Sequence, residues 1–197
     1  MPAFGGGWPT ASVSMTLYTT FQQAPPAEVM DAIRNELDTI MAPAGLRFEW
    51  LSMAEAGRHV SPELAVVHFQ GDCDAQGLRP GWGSPGALGW THITDGQIQP
   101  FIDIDCDSVR LLLERDLMGA PELRRNPAFG RAIARVLAHE LYHLLANTRK
   151  HTGAGIAKAV FTPEDLLDAT LRFGEKEYAA LMKRHGKLVA QAAGENP

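Results

Sequence analysis

Residues 139–156 read HELYHLLANTRKHTGAGI and open with the element His139-Glu140-Leu141-Tyr142-His143. On a helix, residues four apart lie on one face a turn apart, so the imidazoles of His139 and His143 can converge on a single tetrahedral ion. Glu140 then falls about 100° round the axis, beside such an ion and not on it. That is where a general base for a metal-activated water is wanted.

The flanking residues support a helix. Asn126 is the expected N-cap and Pro127 the expected first helical residue, where a missing N–H costs nothing. From there Phe129, Ile133, Val136, Leu137, Leu141 and Leu144 recur at three- and four-residue spacing and make one apolar stripe. His139 and His143 lie off the centre of that stripe, on a face that carries the small residues Ala132 and Ala146. Glu140–His143 is also a Glu-x-x-His pair of the di-iron carboxylate type, but such a site needs a second pair and four long helices. The sequence has no other Glu-x-x-His, and its first half reads as strands.

A catalytic zinc takes three protein ligands and keeps one open position. His151 is the leading third ligand, eight residues after His143 and beyond the polar run Asn147-Thr148-Arg149-Lys150, which should end the helix. Gly153 and Gly155 would let the backbone turn back beneath the metal. Glu164 or Glu175 would serve if the third ligand came from the following helix. However, Thr162-Pro163-Glu164-Asp165 reads as a helix start, with Thr162 as N-cap and Glu164 in an end role favoured by the dipole. Glu175, Lys176 and Glu177 read as a solvated face.

The run from His139 to Ile156 resembles the active-site helix and return loop of the metzincin branch of zinc metallopeptidases. It is more closely similar to small uncharacterised bacterial zincins that carry His-Glu-x-x-His, a short linker, then His and a Gly-Ile step. The resemblance implies His139, His143 and His151 as zinc ligands and Glu140 as general base. It also implies an α+β fold, a twisted sheet backed by a helix with an active-site helix and a C-terminal helix. Metzincins have Gly three residues after the second His and the third His six after it; here Ala146 stands at the first place and the second interval is eight. They also have a Met in the turn beneath the metal, whereas none occurs here between His151 and Met182, which leaves Ile156 or Ala157 as the expected floor.

The remaining elements can be read independently. Residues 11–21 alternate apolar and hydroxyl side chains as a strand does, and Pro26–Met41 has the period of an amphipathic helix through Val29, Ile33, Leu37 and Ile40. Further strands are expected at Leu46–Met53, Leu64–Phe69, Ala87–Thr94 and Gln97–Asp105, the last two joined by an Asp95-Gly96 hairpin signal. Helices are expected near Ser108–Leu117, over 127–147 and over about 164–190. The resemblance would make one edge strand the platform for an extended substrate, with Ala87–Thr94 or Gln97–Ile104 as the candidate and an interior place for both as the alternative.

The 197 residues, 45% of them hydrophobic, are expected to form one domain with a sizeable core, 1–197. No apolar run has the length of a membrane span. A net charge of −5 argues against a nucleic-acid partner, and Arg124, Arg125, Arg131 and Arg135 read as the solvated face of the site helix. Asp103, Asp105 and Asp107 alternate along one strand face, where a calcium site is conceivable. Asp74–Gly86, rich in Gly and Pro, reads as a surface loop bordering the cleft. Cys73 and Cys106 are the only cysteines and fit neither a zinc knuckle nor a redox pair; a disulfide between neighbouring strand ends is left open. Met1–Gly7 lack the regions of a signal peptide. Zincins of this kind are often exported, and the resemblance tips the expectation that way.

The functional expectation is a Zn2+-dependent peptidase acting on peptide or protein substrates, with His139, His143 and His151 holding the metal and Glu140 as base. Two alternatives stay open at this point. One is a catalytically silent zinc-bearing binding or structural domain, and the other is a metal-dependent hydrolase of a non-peptide amide or ester.

Overall fold

The computed structural model describes residues 13–58, 63–78 and 83–192; Met1–Gly7 and part of the Asp74–Gly86 loop lie outside them. Strands β1 (Val13–Phe21), β2 (Leu46–Ser52), β3 (Leu64–Gln70), β4 (Gly89–Thr94) and β5 (Gln97–Asp105) form a sheet in the order β2-β1-β3-β5-β4. The first four in that order are parallel neighbours, while β4 runs antiparallel to β5 and makes one edge. Of the two candidate edge strands, the segment ending at Thr94 therefore holds the edge and Gln97–Asp105 is interior. Asp95 and Gly96 both take positive φ, 52° and 76°, as a two-residue turn matched to the strand twist requires.

Five α-helices complete the fold among the described residues: α1 (Ala27–Met41), α2 (Cys106–Gly119), α3 (Glu122–Leu145), α4 (Pro163–Leu167) and α5 (Glu175–Ala192). Along β3, Ala65, Val67 and Phe69 are buried while Val66, His68 and Gln70 between them are only half-buried. Ile102 and Ile104 of β5 and Leu17 of β1 continue the buried set, which meets Ile33 and Leu37 of α1 and Phe129, Ile133 and Leu137 of α3 in one core. Each such side chain contributes about 1.5–3 kcal/mol on leaving water. Helix α3 packs against α1 on one side and against β5 and β4 on the other, which places the site helix beside the sheet's edge strand.

Several expectations are corrected. Helix α3 starts at Glu122, so Pro127 lies inside it and Asn126 is not its cap. The bond that Pro127 cannot make would have gone to the carbonyl of Leu123, an exposed residue that water reaches, so the loss is small there. Asn126 is buried instead, and its Oδ1 accepts the backbone N–H of Ala75 at 2.9 Å, pinning the loop after β3. Arg135 does not belong to a solvated face: it is fully buried and donates to Glu36 at 2.8 and 3.0 Å. Glu177 is buried too, near Tyr142, while Glu175 and Lys176 are exposed.

The expected single C-terminal helix is two, separated at 168–174. Thr162 caps α4 as expected, but the reciprocal carboxylate is Asp165 and not Glu164, which is exposed. The three aspartates do not converge. Asp103 is held by His68, His92 and Gln70; Asp105 caps α2 through Ser108; and Asp107 lies in the first turn of α2, paired with Arg110. Cys73 and Cys106, at the ends of adjacent strands, are joined in a disulfide with Cα atoms 5.1 Å apart.

Helices α1 and α3 approach closely at Gly130. A Cβ there would stand 2.5 Å from the carbonyl oxygen of Val29 and 2.7 Å from the Cβ of Ala32. Helix propensity favours Ala over Gly by about 1 kcal/mol, but overpacking against backbone costs about 1–3 kcal/mol, so the clash wins. Gly130→Ala is expected to lower the midpoint of thermal unfolding followed by circular dichroism. A raised midpoint would mean that α1 moves aside freely.

Candidate metal centre

The site begins with the way α3 ends. Leu145 is the last helical residue, Ala146 is the C-cap, and Asn147 takes the left-handed conformation, φ 47°. The N–H of Thr148 donates to His143 O at 3.1 Å and that of Asn147 to Leu144 O at 3.3 Å, the paired bonds of a Schellman cap. Asn tolerates this conformation better than most residues, so the polar run stops the helix without the glycine that metzincins carry. The cap turns the carbonyl of Thr148 back to His143, whose Nδ1 lies 2.7 Å from it.

The return loop forms a floor. Thr152 N–H donates to Ala157 O at 2.9 Å, and Ile156 N–H to Arg172 O at 3.1 Å. Gly155 has φ 70°, and a Cβ there would lie 2.5 Å from Arg172 O, so glycine is required on both counts. Ile156 and Ala157, the two residues expected beneath the metal, are both buried. The carbonyl of Ile156 stands 2.7 Å from Nδ1 of His139.

A carbonyl oxygen only accepts, so Nδ1 must carry the proton in both His139 and His143. Their Nε2 atoms are then bare acceptors, yet they face each other at 3.0 Å. Burial pushes the His139 pKa down to about 4, so a proton does not bridge them near neutrality, and burial lowers His143 as well. Two inward lone pairs at that distance suit a cation held by both. His151, on the exposed loop, completes the set: one ligand atom from each of the three imidazoles lies within 4.8 Å of the others. Nitrogens bound about 2.0–2.1 Å from a tetrahedral zinc would stand about 3.3 Å apart, close to the spacing here. The carbonyls on both Nδ1 atoms are the outer-shell partners that fix tautomer and ring orientation for metal binding. The donor set therefore fits zinc.

Glu140 is buried beside this cluster, and Thr91 of β4 donates its hydroxyl to Oε2 at 2.8 Å. Burial pushes the Glu140 carboxyl up to about 7, against the opposing pull of the Thr91 hydrogen bonds. A group poised there can accept and return a proton near neutral pH. The three histidines and Glu140 line one cleft of about 600 Å3, whose other walls come from the Pro85–Thr91 segment, Ile93, Val136 and the loop Ala159–Phe161.

All four residues singled out in the sequence line this cleft, whereas Glu164 and Glu175 do not. Pro85 and Gly86 of the Asp74–Gly86 loop border it, as expected of that loop. Three contributors were missed. Thr91 has no local signature, because which strand residues face a helix depends on register, and Arg149 lies in a polar loop whose course back toward the cleft is set by the cap after α3. Phe161, edge-on to the His139 ring at 5.5 Å, is set by the fold of the loop before α4.

No protein-family model matches the sequence, and comparison with curated proteins gave no match. Solved structures do match. A zinc-dependent peptidase from Methanocorpusculum labreanum (strain Z) superposes with a TM-score of 0.53 at 12% identity, covering 85% of this chain and 99% of that one. Archaemetzincin from Methanopyrus kandleri superposes with a TM-score of 0.51 at 12% identity, covering 89% and 97% respectively. The chain thus shares the mixed α/β fold of these two structures, and among the described residues it has a five-stranded sheet and three clustered histidines.

The buried Glu140 carboxyl gives a pH signature in the metal-free protein. Its folded pKa, about 7, lies above the unfolded value of 4.5, so it favours the fold below pH 4.5 and that contribution is lost as pH rises toward 7. Glu140→Gln removes this dependence and leaves the size and the acceptor oxygen. The variant's melting temperature relative to wild type is therefore expected to rise between pH 4.5 and 7 and then level off. A difference that stays flat across that range would show that Glu140 is already ionised when buried.

Proposed function

We propose that this protein is a zinc-dependent peptidase. The observation that carries the reading is the pair of buried, inward-facing Nε2 atoms of His139 and His143 at 3.0 Å, with His151 beside them. These three residues would hold zinc, which when bound supplies a more acidic water and polarises a carbonyl. Glu140 takes a proton from the attacking water on its carboxylate and passes it to the departing amine. Thr91, bonded to Oε2, holds that carboxylate toward the cleft. Leu88, Val136 and Phe161 keep much of the surrounding wall apolar, which strengthens charge interactions inside.

The edge position of β4 supports substrate binding by strand addition, since Thr91 links that strand directly to Glu140. The Cys73–Cys106 disulfide supports the expectation of an exported protein, because such bonds persist in oxidising compartments.

Two measurements test the proposal. Wild type is expected to bind one zinc per chain by elemental analysis, and His151→Ala to lose most of it. On a broad peptide mixture read by mass spectrometry, wild type is expected to cleave, while Glu140→Gln keeps zinc and loses about 10²–10⁴-fold in rate. Failure of the wild type to take up zinc after reconstitution would remove the metal site. Full activity in Glu140→Gln would remove the base.

A further inference from the structure

Apart from the histidines, the residues lining the cleft include one cation, Arg149, and one carboxylate, Glu140. Glu140 is engaged by Thr91. Arg149 is exposed and has no hydrogen-bond or ion-pair partner among the described residues, so its guanidinium is open to a ligand in the cleft. Its backbone is fixed all the same. The residue before it belongs to the Schellman cap, and Lys150 N–H donates to Thr148 Oγ1 at 3.2 Å. The guanidinium therefore stands on an anchored turn between two of the three histidines in sequence, at the wall of a largely apolar cleft.

A guanidinium presents a rigid fork of donors that matches a carboxylate in a bidentate pair, and it sheds water more readily than an ammonium. Resting on the peptidase reading above, we infer that Arg149 is a specificity-determining residue that binds a carboxylate of the substrate peptide. Two sources share that chemistry: the C-terminal carboxylate of a short peptide, and the side chain of an Asp or Glu near the bond cleaved. The first would make the protein select peptides close to their C-terminus, and the second would make it select acidic sequences.

The test uses matched fluorescent peptides in three forms: a free C-terminus with Gln inside, an amidated C-terminus with Gln inside, and an amidated C-terminus with Glu scanned through the interior. Binding is read by anisotropy on the zinc-loaded Glu140→Gln chain with and without Arg149→Gln, and turnover on wild type beside Arg149→Gln. One carboxylate-bearing set is expected to bind about ten-fold more tightly than the uncharged set, as a charge-assisted pair would give. That preference should vanish in Arg149→Gln and survive in part in Arg149→Lys, with zinc content unchanged in both. Equal binding of all three sets, binding of none, or a preference that persists in Arg149→Gln would overturn the assignment. An Arg149-dependent preference in binding, combined with no cleavage by the wild type, would overturn the peptidase reading and leave the carboxylate site standing.

Discussion

Arg135 sits one helical turn before His139 with no access to water, and its guanidinium is neutralised by Glu36 of α1. It also donates to the carbonyl of Leu166 in α4. A charge buried so completely is tolerable only when it is paired and its donors are used, and removing one partner typically costs about 3–5 kcal/mol. Glu36 is shared with Arg172, whose carbonyl receives Ile156 N–H. The Ile156 carbonyl in turn meets His139 Nδ1. One buried ion pair thus connects the two central helices to the floor loop and, through the amide and carbonyl of Ile156, to the His139 imidazole.

This arrangement separates rigidity from reactivity. The buried set on α3 packs against α1 and the sheet, so the helix that carries His139, Glu140 and His143 has little freedom to shift. Its two Nδ1 protons are committed to carbonyls that belong to the cap and the floor, and a rotation of either ring would take that donor from the carbonyl of Thr148 or of the buried Ile156. The same burial that makes His139 a poor base makes Glu140 a weak acid. The lowered basicity of His139 and the raised pKa of Glu140 therefore share one cause, the exclusion of water from the end of α3.

Much of this was legible in order. The alternation in residues 11–21, the period of Pro26–Met41 and the Asp95-Gly96 turn are local signals, and β1 (Val13–Phe21), α1 (Ala27–Met41) and the β4–β5 turn are found there. So is the spacing of His139 and His143, because four residues on any helix share a face. Asn126 and Pro127 misled for the same reason: they carry a helix-start signal that is sound locally, yet Asn126 is used by the backbone of Ala75, 51 positions away. Arg135 and Glu177 read as solvated because charged residues usually are, and no local pattern announces a partner on another element.

The sequence by itself determined what depends on neighbours along the chain: the elements, the helix face shared by the two histidines, the stop at Asn147 and the turn allowed by Gly155. Only the tertiary structure decided what depends on distant residues meeting. It paired Arg135 with Glu36, Cys73 with Cys106 and Thr91 with Glu140, put β4 at the sheet edge, and brought His151 to the other two imidazoles. The physical reason is that backbone torsions and side-chain period are set within a few residues, whereas burial, charge pairing and strand register are set by which segments displace water together.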